Sequence, residues 1–168
     1  MRAEAGAVRP VVVFAIGNPS RGDDAIGPVV AGRLESWLAA TGLAGQVEVI
    51  EDFQLNIEYA LDLKGRELVL FIDAGENTAD PYFFKQIHAS PEPSHSSHAL
   101  EPPAVLQVYL QIEGHEPPPS FVLGVRGEHF ELGEGISPSA QQRVEAALTL
   151  VERLLRWASL AEWLGEVG

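Results

Sequence analysis

The chain has 168 residues, of which 46% are hydrophobic and 21% charged, and such a composition is typical of one globular α/β domain. Its 11 basic and 24 acidic residues give a formal net charge of -13, which argues against nucleic acids and anionic membranes as partners, because basic patches supply most of that attraction. The absence of cysteine excludes disulfides and thiolate metal ligands, and it fits a reducing cytosol. No apolar run approaches the roughly 20 residues of a membrane span, and we therefore expect a cytoplasmic protein.

Apolar, β-branched runs predict the strands, and apolar residues at helical spacing predict the helices between them. The predicted strands are Val11–Ile16, Val47–Ile50, Glu67–Ile72, Tyr82–Ile87 at an edge, and Phe121–Val125. The predicted helices are residues 25–40, 55–63, 105–112 and 137–157. This alternation implies an α/β fold with a mostly parallel sheet between two layers of helices. We expect a single domain over residues 1–168, with fraying at residues 1–9 and 159–168.

A glycine-rich turn follows the first strand and ends in two adjacent carboxylates, Asp23 and Asp24. Such turns usually bind anions through backbone N–H groups, but two carboxylates would repel a phosphate. The five-residue spacing of Gly17, Gly22 and Gly27 also fits neither a dinucleotide-binding nor a Walker motif. Aspartate is a preferred N-cap, so we expect Asp23 to cap the following helix. Asp24 is then available for a cation.

A third aspartate, Asp73, follows the buried run of the third predicted strand. Ligands of parallel sheets collect at the carboxyl ends of the strands, so Asp24 and Asp73 should face each other at one rim. Burying a carboxylate is costly without a partner or a metal, which favours a site there. The alternative is that Asp73 caps the loop that follows it.

The histidines offer one pair with the spacing of a metal site. His95 and His98 lie three residues apart in a serine-rich loop, and on a helical turn both can face one metal ion. Without cysteine, the ligands would be oxygen and nitrogen, a set that suits Zn, Ni, Mn or Fe. The remaining histidines are expected to be solvated: His88, His115 and His129.

In this order along the chain, the motifs resemble those of the hydrogenase maturation endopeptidases. The resemblance covers nearly the whole chain, and the segments that carry it are Gly17-Asn18, Asp23-Asp24-Ala25-Ile26-Gly27, Ile72-Asp73-Ala74, Ser97-His98-Ala99-Leu100, Leu123-Gly124-Val125 and Gly135-Ile136-Ser137-Pro138. It implies a five-stranded twisted sheet between helix layers. It also implies an endopeptidase that removes a C-terminal extension from the large-subunit precursor of a nickel-iron hydrogenase after nickel insertion.

The resemblance further implies that Asp24, Asp73 and His98 are the catalytic and nickel-contacting residues, with His95 as the alternative to His98. The precursor supplies the nickel, no organic cofactor is implied, and we expect the protein to be a monomer. Where the family often has Asp-Gly-Gly-Thr after the second strand, this chain has Asp52-Phe53-Gln54-Leu55, which we expect to contact the substrate. Glu51-Asp52-Phe53-Gln54 and residues 19–24 resemble the members that serve multi-subunit, NAD-reducing (bidirectional) hydrogenases.

Two other functions would use the same residues. A nickel-sensing assembly chaperone would bind the precursor through the three ligands without hydrolysing it. A conventional zinc peptidase acting on free peptides is disfavoured, because the chain has no His-Glu-x-x-His helix. In an endopeptidase, the water would be activated either by the metal or by a free carboxylate that accepts its proton.

Overall fold

The computed structural model describes residues 7–91 and 100–168, and a five-stranded sheet organises them. The strands are β1 (Val11–Ile16), β2 (Val47–Asp52), β3 (Leu68–Glu76), β4 (Tyr82–Ile87) and β5 (Ser120–Gly127). Their order across the sheet is β2-β1-β3-β5-β4. All neighbours are parallel except β4, which runs antiparallel to β5 at the edge. The predicted mostly parallel sheet with its edge strand is therefore confirmed.

Helices cover both faces of this sheet, as predicted. The α-helices are α1 (Ile26–Thr41), α2 (Pro102–Glu113), α3 (Pro138–Arg156) and α4 (Leu160–Glu166), and Gly22–Ala25 and Ile57–Leu63 form 3-10 helices. Alternate residues of β1 and β3 point to opposite faces, because side chains alternate along a strand. One face packs against α1, α3 and α4, and the other packs against α2 and the second 3-10 helix. The core is thus divided into two clusters by the sheet.

The start of α3 has the predicted geometry. The Ser137 hydroxyl accepts a hydrogen bond from the backbone N–H of Ala140, and Pro138 occupies the first helical position, where its missing N–H leaves no bond unmade. The predicted helix at residues 55–63 is instead a 3-10 helix from Ile57 to Leu63. Its buried residues, Ala60 and Leu63, are three apart, and this is the spacing that a 3-10 helix aligns on one face.

The prediction that residues 159–168 fray is wrong. They contain α4, whose Trp163 is 0% exposed and packs edge-on against the rings of Phe84 and Phe121. The indole Nε1 donates a hydrogen bond to the carbonyl of Leu154 at 2.7 Å. One large aromatic side chain, fully packed and with its polar atom satisfied, is enough to anchor this short helix. Of the other segment expected to fray, residues 1–6 lie outside the described residues.

Within residues 7–91 and 100–168, no helix combines the length and the apolar composition needed to cross a membrane.

Candidate active site

The two carboxylates identified in the sequence meet in one cavity. The chain passes from β1 through α1 to β2, and then crosses to the other side of β1 to form β3, so the connections diverge between β1 and β3. Ligands of open α/β sheets bind at the carboxyl ends of the strands at such a point. A cavity of about 530 Å³ opens there, and both Asp24 and Asp73 line it. The structure therefore brings the two residues together as predicted.

Asp73 lies within β3. The sequence predicted that it would come directly after the strand. The strand continues to Glu76, because β5 runs alongside it as far as Gly127 and provides backbone partners. Asp73 pairs with Gly124, and its Oδ1 accepts a hydrogen bond of 2.7 Å from the backbone N–H of Ala74. The carboxylate is thus held on the sheet itself, with its outer side open to the cavity.

This position changes the acidity of Asp73. Burial among protein atoms, followed by repulsion from the Asp24 carboxylate, raises the pKa of Asp73 to about 7, although the bond from Ala74 works in the opposite direction. The side chain still reaches solvent through the cavity, but protein replaces bulk water on its other sides. Asp73 can therefore hold or release a proton at neutral pH, as a general acid or base must.

Asp24 is held by the turn that follows β1. Its Oδ2 accepts a hydrogen bond of 2.7 Å from the backbone N–H of Asn18, and Asn18 in turn accepts one from the N–H of Ser20. The turn closes tightly: a Cβ on Gly17 would lie 2.0 Å from the carbonyl oxygen of Asp24, so only glycine fits. The half-buried carboxylate is thereby directed at the cavity from the β1 side.

The prediction that Asp23 caps a helix is wrong. Arg21 precedes the 3-10 helix, Ala25 precedes α1, and neither position has a capping side-chain bond. Asp23 is instead 0% exposed and ties the β1 turn to the loop at residues 128–137. Its carboxylate accepts bonds from the N–H groups of Glu128 (2.8 Å), His129 (3.1 Å) and Ser137 (2.8 Å) and from the Ser137 hydroxyl (3.0 Å).

These four bonds set the charge of Asp23. Burial raises its pKa, but the hydrogen bonds from Glu128, Ser137 and His129 outweigh that effect and hold the pKa below its ordinary value. The backbone N–H of Asp23 also donates to the carbonyl of His129 at 2.6 Å, so the connection runs in both directions. Asp23 is therefore a buried, ionised structural anchor that fixes the turn from which its neighbour Asp24 enters the cavity.

The segment after β2 forms one wall of the cavity. Phe53, Gln54 and Leu55 line it, and Phe53 is 62% exposed. Asp52 fixes the segment, because its carboxylate accepts hydrogen bonds from the Tyr59 hydroxyl and from the backbone N–H of Phe53. The Asp52 bond, followed by burial, raises the pKa of Tyr59 to about 12, so the hydroxyl remains a donor at physiological pH.

His95 and His98 lie outside the described residues, so the structure does not place the predicted histidine ligand. Leu100 and Glu101, which follow in the chain, line the cavity. The remaining histidines are exposed, as predicted: His88, His115 and His129. Among the described residues alone, no three side chains of the metal-binding types are grouped closely enough to hold a metal ion.

Two side chains of the site, Phe83 and Lys85 on β4, were not predicted from the sequence. The pattern of Tyr82–Ile87 indicates only an edge strand, whereas both side chains line the cavity. The two-residue alternation of a strand places them on one face, but only the pairing with β5 shows which face that is.

Solved structures of hydrogenase maturation proteases share this architecture. The NiFe hydrogenase maturation protease HycI from Thermococcus kodakarensis is 24% identical, with a TM-score of 0.65 over 91% of this chain and 96% of that one. The maturating endopeptidase HybD from E. coli is 24% identical, with a TM-score of 0.71 over 89% and 93%. The hydrogenase 2 maturation peptidase from a Thaumarchaeota archaeon is 22% identical, with a TM-score of 0.62 over 88% and 98%.

This chain has the fold of the hydrogenase maturation proteases. No protein-family model matches its sequence, and no curated protein is significantly similar to it. The fold resemblance predicted from the sequence motifs is confirmed.

Proposed function

We propose that this protein is an endopeptidase that removes a C-terminal extension from the large-subunit precursor of a nickel-iron hydrogenase, and that it recognises the inserted nickel. The observation that carries the proposal is the pairing of Asp24 and Asp73 in one open cavity. The proteins that share the fold over about nine-tenths of the chain are named hydrogenase maturation proteases, which supports the reaction class.

The nickel ion belongs to the precursor and is therefore part of the substrate. Asp24 and Asp73 would contact it through carboxylate oxygens, and His98 would contact it through an imidazole nitrogen, a donor set that suits nickel. Two observations support this assignment. Burial and, after it, repulsion by the Asp24 carboxylate raise the pKa of Asp73, and a cation between the two carboxylates would relieve the repulsion. Leu100, two residues after His98 in sequence, lines the same cavity.

The chemistry is the attack of water on a peptide carbonyl. The carbonyl must be polarised or the water deprotonated, and nickel in the substrate can supply the first effect. Asp73 can supply the second through a carboxylate oxygen that does not contact nickel and that takes a proton from water. The same proton can then pass to the leaving amine. The Asp24 carboxylate beside Asp73 favours the uptake of that proton, because a neighbouring negative charge disfavours the ionised form of Asp73.

Processing of purified precursor tests this proposal. We expect a mass decrease at the C-terminus of the nickel-loaded precursor and none with the nickel-free form. Stable binding of the loaded precursor without a mass change would replace the endopeptidase with an assembly chaperone. Equal cleavage of both forms would contradict nickel recognition and would indicate that the three residues hold a metal of their own or that the catalytic group lies elsewhere.

The two histidines of the serine-rich loop give a paired test. We expect His98→Ala to lower processing of the nickel-loaded precursor by about 100-fold, since a metal contact is lost while two carboxylates remain. His95→Ala serves as the matched control and should stay within about twofold of the wild type. The opposite result would assign the ligand role to His95. Equal, near-normal rates for both variants would remove histidine from the site.

We further propose that the protein acts as a monomer in the cytoplasm and serves an NAD-reducing hydrogenase. The exposed Phe53, in the segment that departs from the usual family pattern, lies at the cavity where the precursor would enter, which supports a contact between this segment and the substrate.

A further inference from the structure

The cavity extends from the carboxylates across the sheet to β4. Asp73 pairs with Gly124 on β5, and Gly124 pairs with Phe83 on β4, so the three residues form one row on the same face. A Cβ on Gly124 would lie 2.2 Å from the ring of Phe83. The missing side chain therefore lets the Phe83 ring lie directly over Gly124, where it forms an apolar floor in the cavity that Asp73 also lines.

Lys85 stands next to this floor. It lies two residues after Phe83 and faces the same side of the sheet, and its ammonium lies 5.3 Å from the centre of the Phe83 ring. The side chain is exposed and lines the cavity. It forms no ion pair with another residue of the described ranges. Of the described residues that line the cavity, Lys85 is the one cation, against the carboxylates of Asp24, Asp73 and Glu101.

The sheet fixes the distance between the two charged ends of the cavity. Asp73 and Lys85 are two strands apart and offset by two residues, which places their Cα atoms about 12 Å apart at the usual strand spacing and rise. An extended peptide advances about 3.3 to 3.6 Å per residue, so it covers this distance in three or four residues.

We propose that Lys85 is a specificity residue that binds an acidic side chain of the precursor three or four residues from the residue facing Asp24 and Asp73. This inference rests on the proposed function and names a feature of its substrate. An acidic side chain placed elsewhere along the cavity meets a carboxylate and is repelled, so the single ammonium fixes the register of the peptide. The Phe83 ring holds the ammonium in place from below and packs against the apolar part of the peptide.

Replacing the cation without shortening the side chain tests the contact. We expect Lys85→Met to raise KM for the nickel-loaded precursor about tenfold and to leave kcat within about twofold, because the ion pair is equally present in the ground and transition states. Lys64→Met is the matched control: Lys64 is the other lysine of the chain, pairs with Glu113, and precedes the opposite end of β3. Its variant should retain the KM of the wild type.

A charge exchange identifies the partner side chain. Each acidic residue within four positions on either side of the cleaved bond in the precursor is replaced singly by lysine. One of these precursors should be cleaved poorly by the wild-type protein and should recover at least about fivefold with Lys85→Glu. A precursor with no acidic residue in that window, no recovery with Lys85→Glu, or an unchanged KM with Lys85→Met would each overturn the subsite.

The outcomes separate this inference from the proposed function. If the wild-type protein binds the precursor without cleaving it, the endopeptidase proposal fails. The Kd values of the same variants for the precursor then test whether Lys85 binds an acidic side chain. If the wild-type protein neither binds nor cleaves the nickel-loaded precursor, both proposals are overturned. If Lys85→Met and Lys64→Met both cleave the precursor with the KM of the wild type, the subsite alone is overturned.

Discussion

Asp73→Asn is expected to abolish precursor processing, with a loss of about 1000-fold or more, while the protein remains folded. Asparagine keeps the shape of the side chain, and its amide oxygen can still accept the hydrogen bond from the backbone N–H of Ala74. The variant loses the negative charge that would contact nickel and the group that would accept a proton. The measurement is the rate of the C-terminal mass change with the nickel-loaded precursor.

The matched control is Glu76→Gln, which removes the same charge from an exposed position of the same strand and should process the precursor at the normal rate. Circular dichroism of both variants establishes that they are folded. Normal processing by Asp73→Asn would exclude any role for the charge of Asp73 in nickel recognition and in water activation.

The raised pKa of Asp73 gives the same variant a second readout that does not depend on the precursor. Between about pH 4 and pH 7 the folded wild-type protein keeps a proton on Asp73 that the unfolded chain releases, so this group lowers stability as the pH rises through that window. The asparagine of the variant carries no such proton. The free energy of unfolding of Asp73→Asn relative to the wild type should therefore increase from pH 4 to pH 7 and then level off. Urea denaturation at pH 4.5 and pH 8 measures this, and a difference independent of pH would contradict the raised pKa.

The strands could be predicted from the sequence because most of them carry their own signal. A run such as Val11–Ile16 is apolar at every position, and the structure buries all six of its residues, as a central parallel strand between two helix layers requires. The start of α3 is equally local, since a serine followed by proline defines a helix N-terminus on its own. The meeting of Asp24 and Asp73 follows from topology, because both belong to the carboxyl ends of strands in one parallel sheet.

The predictions that are wrong concern interactions between residues distant in sequence. The sequence predicts Asp73 after its strand because the Ala-Gly-Glu that follows has no strand composition, yet β5 supplies the backbone partners that extend β3. The short helix α4 depends on one tryptophan that packs against β4 and β5, which no periodic pattern of seven residues reveals. Lys85 belongs to the site only through the register of β4 on β5.

Asp23 is the clearest case of this kind. Its local context, a carboxylate at the start of a helix, favours capping, but the groups that donate to it lie 105 to 114 residues later in the chain. The Gly127 Cα also comes so close to the Asp23 side chain that a Cβ there would lie 2.9 Å from the Asp23 Cβ. The carboxylate therefore acts as an internal ligand for the loop at residues 128–137, and helix capping has no part in its role.

Asp23→Asn is accordingly expected to destabilise the protein by about 3 to 5 kcal/mol, a fall of about 10 °C in Tm for a chain of this length. The amide oxygen can replace one carboxylate oxygen, but the amide NH₂ then faces N–H donors of Glu128 and His129, and these buried donors lose their acceptor. Thermal and urea denaturation at pH 7 measure the effect.

The control is Asp80→Asn, the same substitution at an exposed aspartate paired with Arg143, which should leave the stability close to that of the wild type because water already solvates this carboxylate. The difference between the wild type and Asp23→Asn should also shrink as the pH falls below the ordinary aspartate value of 3.8, because the stabilisation by a lowered pKa is lost when the folded carboxylate takes up a proton. If Asp23→Asn were no less stable than Asp80→Asn at pH 7, the carboxylate would not be what holds the two loops together. The orientation of Asp24 toward the cavity would then depend on the tight turn at Gly17 and the hydrogen bond from Asn18 alone.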